Sequence, residues 1–158
     1  MALSCVVEPA ELAGVVAAQR AAGRRIVCTN GCFDVLHRGH VAYLDEARGL
    51  GDVLVVGVND DAGVRRLKGP GRPINTAADR AIVLAALESV TLVSVFSGDT
   101  AVGLVERVRP DVYVKGGDYA GAVLPEAAVV QRHGGRVALL DYVAGQSTSA
   151  VVARIRTE

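Results

Sequence analysis

Five short apolar runs, each parted from the next by a stretch of helical character, decide what this chain can fold into. The runs fall at 26–29, 53–58, 91–96, 111–114 and 136–140, and Val, Leu and Ile dominate them. The second reads Val-Leu-Val-Val-Gly-Val, with no polar residue, so both of its faces must be covered. Residues 9–22 place Leu12, Val15 and Val16 on one side of a helix that Gly23 stops. Helical patterns follow at 39–48, 77–87, 99–108, 124–133 and 149–156, with Asp99 the expected N-cap of its helix. Strands separated by helices require right-handed crossovers, hence a parallel sheet with helices on both faces. The fold class is therefore α/β: a Rossmann-like, doubly wound parallel sheet of about five strands in three α/β/α layers.

The chain has 158 residues, the size of one domain, expected to comprise an N-terminal helix within 7–22 and a core over 26–158. Aromatics make up only 4%, so the core must be built from Val, Leu, Ile and Ala. Lys plus Arg and Asp plus Glu balance at 17 each, which leaves no global basic field for nucleic acid. Cys5, Cys28 and Cys32 are odd in number and lack CxxC spacing, as expected of reduced thiols in the cytosol. The N-terminus has no basic lead of a secretory signal, and no apolar run approaches the roughly 20 residues of a membrane span. The expectation is a soluble cytoplasmic protein with neither nucleic acid nor membrane as partner.

In a doubly wound sheet, ligands sit beyond the carboxyl ends of the strands, where strand order reverses. Four polar, Gly-rich segments follow strands and should meet there: 29–40, 59–75, 115–121 and 145–149. The second reads as a loop carrying Arg65, Arg66, Lys68, Arg72 and three glycines.

The first strand runs into neither GxGxxG nor GxxxxGK[ST], which excludes a dinucleotide fingerprint and a P-loop. It runs into Gly-Cys-Phe-Asp-Val-Leu-His-Arg-Gly-His, residues 31–40. His37 and His40 lie three apart at a helix start, which turns both imidazoles to one side. Gly39 lets a ligand approach the backbone, and the helix amino end favours a phosphate. Two imidazole donors there suit the charge that develops on an α-phosphate under attack. Two other readings stay open: ordinary polar surface, and a zinc site with Cys32, although no further ligand pair has the spacing of structural zinc. Each remaining segment has a plainer reading too. The 65–72 cations can be a solvated loop, Gly116-Gly117-Asp118 a turn, and Ser147-Thr148 an N-cap. His133 is expected on the surface, and Cys32 as a packing residue.

The run at 31–40 resembles the HxGH signature of the cytidylyltransferase-like nucleotidyltransferases. The segments 58–75, 111–119 and 145–155, with the helix near Arg80, resemble the branch that joins AMP to D-glycero-β-D-manno-heptose 1-phosphate. The glycerol-3-phosphate cytidylyltransferase branch differs. It shows a sequence like MGDDW where this chain has Val-Lys-Gly-Gly-Asp-Tyr, and an Arg where this chain has Asp141-Tyr142-Val143.

The resemblance implies an HxGH-type fold and residue roles. His37, His40 and Lys68 would be catalytic. Thr29, Asn30, Gly31, Cys32, Phe33, Gly39, Lys115, Gly116, Gly117, Asp118, Ser147 and Thr148 would join the histidines around the nucleotide. Asp34, Lys68, Arg72 and Arg80 would bind the phospho-sugar, with Lys68 carried on a mobile loop. ATP and a sugar phosphate would be the substrates. Mg²⁺ would be held mainly by the triphosphate, without a protein metal site. A homodimer is implied, as is a separate heptose kinase and phosphatase supplying a stand-alone transferase. The alternatives are a glycerol-3-phosphate cytidylyltransferase, an FAD synthase-like transferase on the same fold, and a nucleotide-binding module without turnover.

Overall fold

A computed structural model describes residues 5–157. Strands β1 (Ile26–Gly31), β2 (Val53–Asn59), β3 (Leu92–Phe96), β4 (Val112–Gly116) and β5 (Arg136–Leu140) form one sheet. Their order is β3-β2-β1-β4-β5 and every pairing is parallel, so the expected doubly wound architecture is present. Order runs outward from β1 in both directions and reverses between β1 and β4.

Helices α1 (Leu12–Ala21), α5 (Val102–Val108) and α6 (Pro125–Arg132) cover one face of the sheet, and α2 (Arg38–Arg48) and α4 (Ala77–Ala85) the other. The pleat divides each strand between them. Val53 and Val55 pack with Leu104 and Val105 of α5, whereas Leu54, Val56 and Val58 pack with Leu44 of α2 and Leu84 of α4. This double burial explains why β2 reads as an unbroken apolar run. The last helix, α7 (Thr148–Arg156), follows β5. Among the described residues no helix is long and apolar enough to cross a membrane, and the three cysteines form no disulfide.

Three local expectations are corrected. The helix expected from residue 7 starts at Leu12; upstream, Val6 bridges Val93 and the Val7 N–H donates to the Val93 carbonyl, extending the free edge of β3. The segment expected to be a loop at 59–75 contains a helix, α3 (Asp61–Lys68). Asp60 caps it by accepting the Gly63 N–H at 2.7 Å, and Val64 anchors it by burial. Gly63, a poor helix former, obscured a helix that cap and core hold in place. Asp99 does not cap α5. Its carboxylate binds Arg66 Nε at 2.9 Å, and Glu126 of α6 accepts the Ala101 N–H at the helix start.

Lys68 ends α3, so its placement depends on that helix. Asp60→Ala should cost about 1 kcal/mol, and amide exchange should accelerate over 61–68 before the rest of the sheet opens. Uniform exchange throughout the domain would contradict the cap.

Candidate active site

Beyond the carboxyl ends of the strands, where β1 and β4 diverge, lies a cleft of about 900 Å³. All four segments singled out in the sequence reach it: Asn30 to Asp34 with His37, Gly39 and His40; Asn59, Lys68 and Arg72; Lys115, Gly116 and Asp118; and Gly145 to Ser149. Thr29, Gly117 and Arg80 do not line it.

The two histidines form one unit. Their ring centroids stand 3.9 Å apart with the planes 27° from parallel. His37 is the N-cap of α2, and its Nδ1 accepts the Gly39 N–H at 3.1 Å. In the neutral ring this leaves the proton on Nε2. A Cβ on Gly39 would come within 2.9 Å of the His37 ring and of Gln146 Cβ, so the stacking requires glycine there. His40 leans on Phe33 at 5.3 Å between centroids, and Phe33 holds a left-handed backbone (φ 48°) that non-glycine residues seldom adopt. His40 Nδ1 is buried without a hydrogen-bond partner among the described residues. Burial, and then the neighbouring His37, push the His40 pKa down to about 4, and burial lowers that of His37. Both rings are therefore neutral N–H donors at neutral pH.

Arg80 and Asp34 do something other than line a phospho-sugar. The Arg80 side chain is 0% exposed. Its guanidinium donates to the carbonyls of Cys32 and Asn75 and to Asp61 Oδ1 at 2.8 Å, joining the histidine loop to the start of α3. The Asp34 carboxylate is also fully enclosed, accepting from Arg72 Nε at 2.6 Å and from the N–H groups of Ile74 and Asn75. Burial alone would raise the Asp34 pKa, but those amides and Arg72 outweigh it and hold the group below the usual carboxylate range. Both expectations are revised, because each enclosed charge is already engaged by several protein partners and Arg80 lies off the cleft wall. Arg72, drawn onto Asp34, presents only part of its charge to the cleft. Lys68 is exposed at the rim. Thr29 is likewise enclosed, its hydroxyl meeting Tyr43 Oη at 2.8 Å and the Val114 carbonyl at 2.9 Å.

On the β4–β5 side, Lys115 Nζ lies 4.5 Å over the Tyr119 ring. Burial lowers its pKa, while Glu126 and Asp118 pull it back up. Tyr142 stacks toward Tyr43 at 6.1 Å; burial, and then Asp118, push its hydroxyl up to about 12. A Cβ on Gly116 would overlap the Tyr142 ring, so Tyr142 lies directly over that strand end and would have to swing aside for any side chain there. Ser147 caps α7 by accepting the Ala150 N–H, and Thr148 donates to the Val35 carbonyl, tying the amino end of α7 to the histidine loop.

Several lining residues were not foreseen: Tyr43, Phe96, Glu126 and Tyr142, while Tyr119 lies in the segment 115–121 already expected there. The scarcity of aromatics was the available signal, for of two Phe and four Tyr only Tyr113 lies off the cleft wall. His133 is half-buried and meets Glu106 at 2.9 Å, away from the cleft. Among the described residues no group of three or more His, Cys, Asp or Glu is placed to hold a metal ion.

Replacing Arg80 with Met leaves the Cys32 and Asn75 carbonyls without their donor, while Asp61 keeps the Ala77 N–H, and should lower stability by about 2 kcal/mol; an unchanged melting temperature would contradict the network. Asp34 has a depressed pKa, so its stabilisation is full above the unfolded value and fades as pH falls through the folded one. Wild type should lose stability below about pH 4 more steeply than Asp34→Asn, as read by denaturant titrations across that range.

Comparison with known proteins agrees with this geometry. The profile of the Cytidylyltransferase-like family matches residues 28–135. The chain is 56% identical over 147 residues to bifunctional protein HldE of Alkalilimnicola ehrlichii, covering 93% of this chain and 31% of that protein. It is 51% identical over 144 residues to the protein of the same name from Geobacter sulfurreducens, covering 91% and 29%. The chain thus spans about three tenths of the length of these curated relatives. The crystal structure of the lipopolysaccharide core biosynthesis protein from Thermoplasma volcanium superposes with a TM-score of 0.62 at 28% identity, covering 77% of this chain and 98% of that one. The chain belongs to the cytidylyltransferase-like family of nucleotidyltransferases.

Proposed function

We propose that this single domain transfers AMP from Mg·ATP to D-glycero-β-D-manno-heptose 1-phosphate, giving ADP-heptose and pyrophosphate. One observation carries the reading. The stacked His37–His40 pair shares a cleft with Lys68 and with the amino end of α7 at Ser147-Thr148. A triphosphate can span from one helix start to the other, its α-phosphate at the imidazoles and its β- and γ-phosphates at the α7 N–H groups. The extensive similarity to the HldE proteins favours the heptose acceptor and ATP.

The chemistry needs little from the protein beyond charge and position. An oxygen of the sugar phosphate attacks the α-phosphorus, the bond to the oxygen bridging to the β-phosphate breaks, and that oxygen leaves with the electron pair on pyrophosphate. A sugar phosphate is mostly dianionic at neutral pH, with a second pKa of about 6, so no general base is required. Mg²⁺ enters as part of the substrate, bound to triphosphate oxygens and water. The neutral imidazoles donate hydrogen bonds to the α-phosphate as its charge grows, and Lys68 meets phosphate oxygens from the opposite rim. Arg80 and Asp34 hold the two rims in register. Cys32, whose pKa burial raises, packs within the cleft wall.

The resemblance also implies that separate kinase and phosphatase activities supply the acceptor. A homodimer and a cytoplasmic location belong to the same reading and rest on the resemblance.

A panel of nucleoside triphosphates against acceptors, read by pyrophosphate release, tests the assignment. ATP with the heptose 1-phosphate should be the productive pair; turnover only with CTP and glycerol 3-phosphate, or with ATP and FMN, would reassign the branch. His40→Ala should lower kcat by about a hundredfold or more with ATP affinity little changed, as for loss of a transition-state donor. Lys68→Ala should act similarly and Cys32→Ala mildly. Near-normal turnover by His40→Ala would refute the mechanism.

A further inference from the structure

The face of the sheet beneath α5 and α6 brings a second set of polar groups to the cleft, and the phosphate chemistry does not use them. By the pleat, Asn30, Asn59, Phe96 and Lys115 stand on the same side as Cys28, Val55, Leu92 and Tyr113, which pack against those helices. Asn59 lies opposite Phe96 in the β2–β3 register. Glu126 enters the same lobe from the first turn of α6, and all five residues line the cleft.

These side chains are enclosed yet keep hydrogen-bonding capacity. Asn59 is 7% exposed and Glu126 6%. Glu126 Oε1 accepts the Ala101 N–H at 2.7 Å, while Oε2 has no hydrogen bond among the described residues. The Asn59 amide makes none there either. Asn30 Oδ1 accepts from Tyr113 Oη, which sets the amide so that its NH₂ remains to donate. Among the described residues the buried side-chain atoms left without a partner are His40 Nδ1 and Ser94 Oγ, so the free atoms of Asn30, Asn59 and Glu126 meet the open cleft, where their spare donors and acceptors can turn to a ligand.

The mixture of donors and acceptors identifies the ligand chemistry. Phosphate offers acceptors only, and the Glu126 carboxylate repels it. A sugar hydroxyl donates and accepts at once, so it can give its proton to Glu126 and take one from an asparagine amide. The nearly enclosed Phe96 ring offers an apolar surface for the C–H face of a sugar ring.

We infer that this lobe is the subsite for the acceptor's sugar ring, in which Asn59 and Glu126, assisted by Asn30, read its hydroxyls and select the sugar. The inference rests on the proposed transfer to a sugar 1-phosphate. It separates the two ends of that substrate, placing its phosphate toward Lys68 and the histidines and its ring beneath α5 and α6.

The test compares Asn59→Ala and Glu126→Gln with wild type in the full chain. Glu126→Gln keeps an oxygen for the Ala101 N–H, so melting temperatures should stay close and report any loss of fold. The acceptor KM should rise about tenfold for Asn59→Ala and on the order of thirtyfold for Glu126→Gln, as for loss of a neutral and a charged hydrogen bond. Calorimetric Kd values for Mg·ATP and for inorganic phosphate should hold. An unchanged acceptor KM, or a change that falls on ATP instead, overturns the subsite. If wild type releases no pyrophosphate with the heptose 1-phosphate, calorimetry of that compound against the same variants decides. Weaker binding by the variants upholds the sugar subsite while retiring the reaction, and equal binding by all three proteins retires both.

Discussion

Two neighbouring parallel strands whose connections leave to opposite sides of a sheet cannot both be covered at their ends by the same crossover. β1 and β4 are that pair. β1 hands its chain to α2 on one face, and β4 hands its chain to α6 on the other. The gap between their ends becomes the floor of the cleft, and everything with chemical character is hung around it. The reversal also sorts the cleft by face. The histidines come from the α2 side, while Asn30, Asn59, Lys115 and Glu126 belong to the α5–α6 side. Topology thus gives the cleft two walls, the one proposed to handle phosphate and the one proposed to read hydroxyls.

Position within the cleft depends on enclosed charge. Arg80 and Asp34 each bond both to backbone groups and to one partner charge, Asp61 and Arg72 respectively. Such networks are expensive to break and therefore rigid. What they fix is the separation between the histidine loop and the α3 rim that carries Lys68. The imidazoles use a different device: with burial keeping them uncharged, they present N–H donors without the attraction of full charges for every passing anion.

Strand positions and the convergence of four polar segments were legible because each rests on a short-range rule: apolar runs for buried strands, and polar turns after strands for a site. The failures share another cause. Gly63 weakened the helical signal of 61–68, and only the Asp60 cap and the buried Val64 restore it. Asp99 has the right residue type for an N-cap, yet Glu126, distant in sequence, takes that task. Arg80 and Asp34 sit in segments of the right character but point inward, and a sequence carries no direction for a side chain most of whose partners are 19 to 48 residues away. Tyr142 and Glu126 reach the cleft from stretches with no recognisable spacing. Tertiary structure alone brings them there.

The central claim is that a triphosphate lies against the stacked imidazoles. The chain has only three histidines, and His133 sits apart with Glu106, so ring resonances can be followed one by one. The decisive measurement is an NMR pH titration of those rings with and without a saturating non-hydrolysable ATP analogue. The His40 midpoint, about 4 in the free protein, should move clearly upward when the anion binds while His133 stays put. A His40 midpoint that does not move with the analogue bound would mean that the phosphates lie elsewhere.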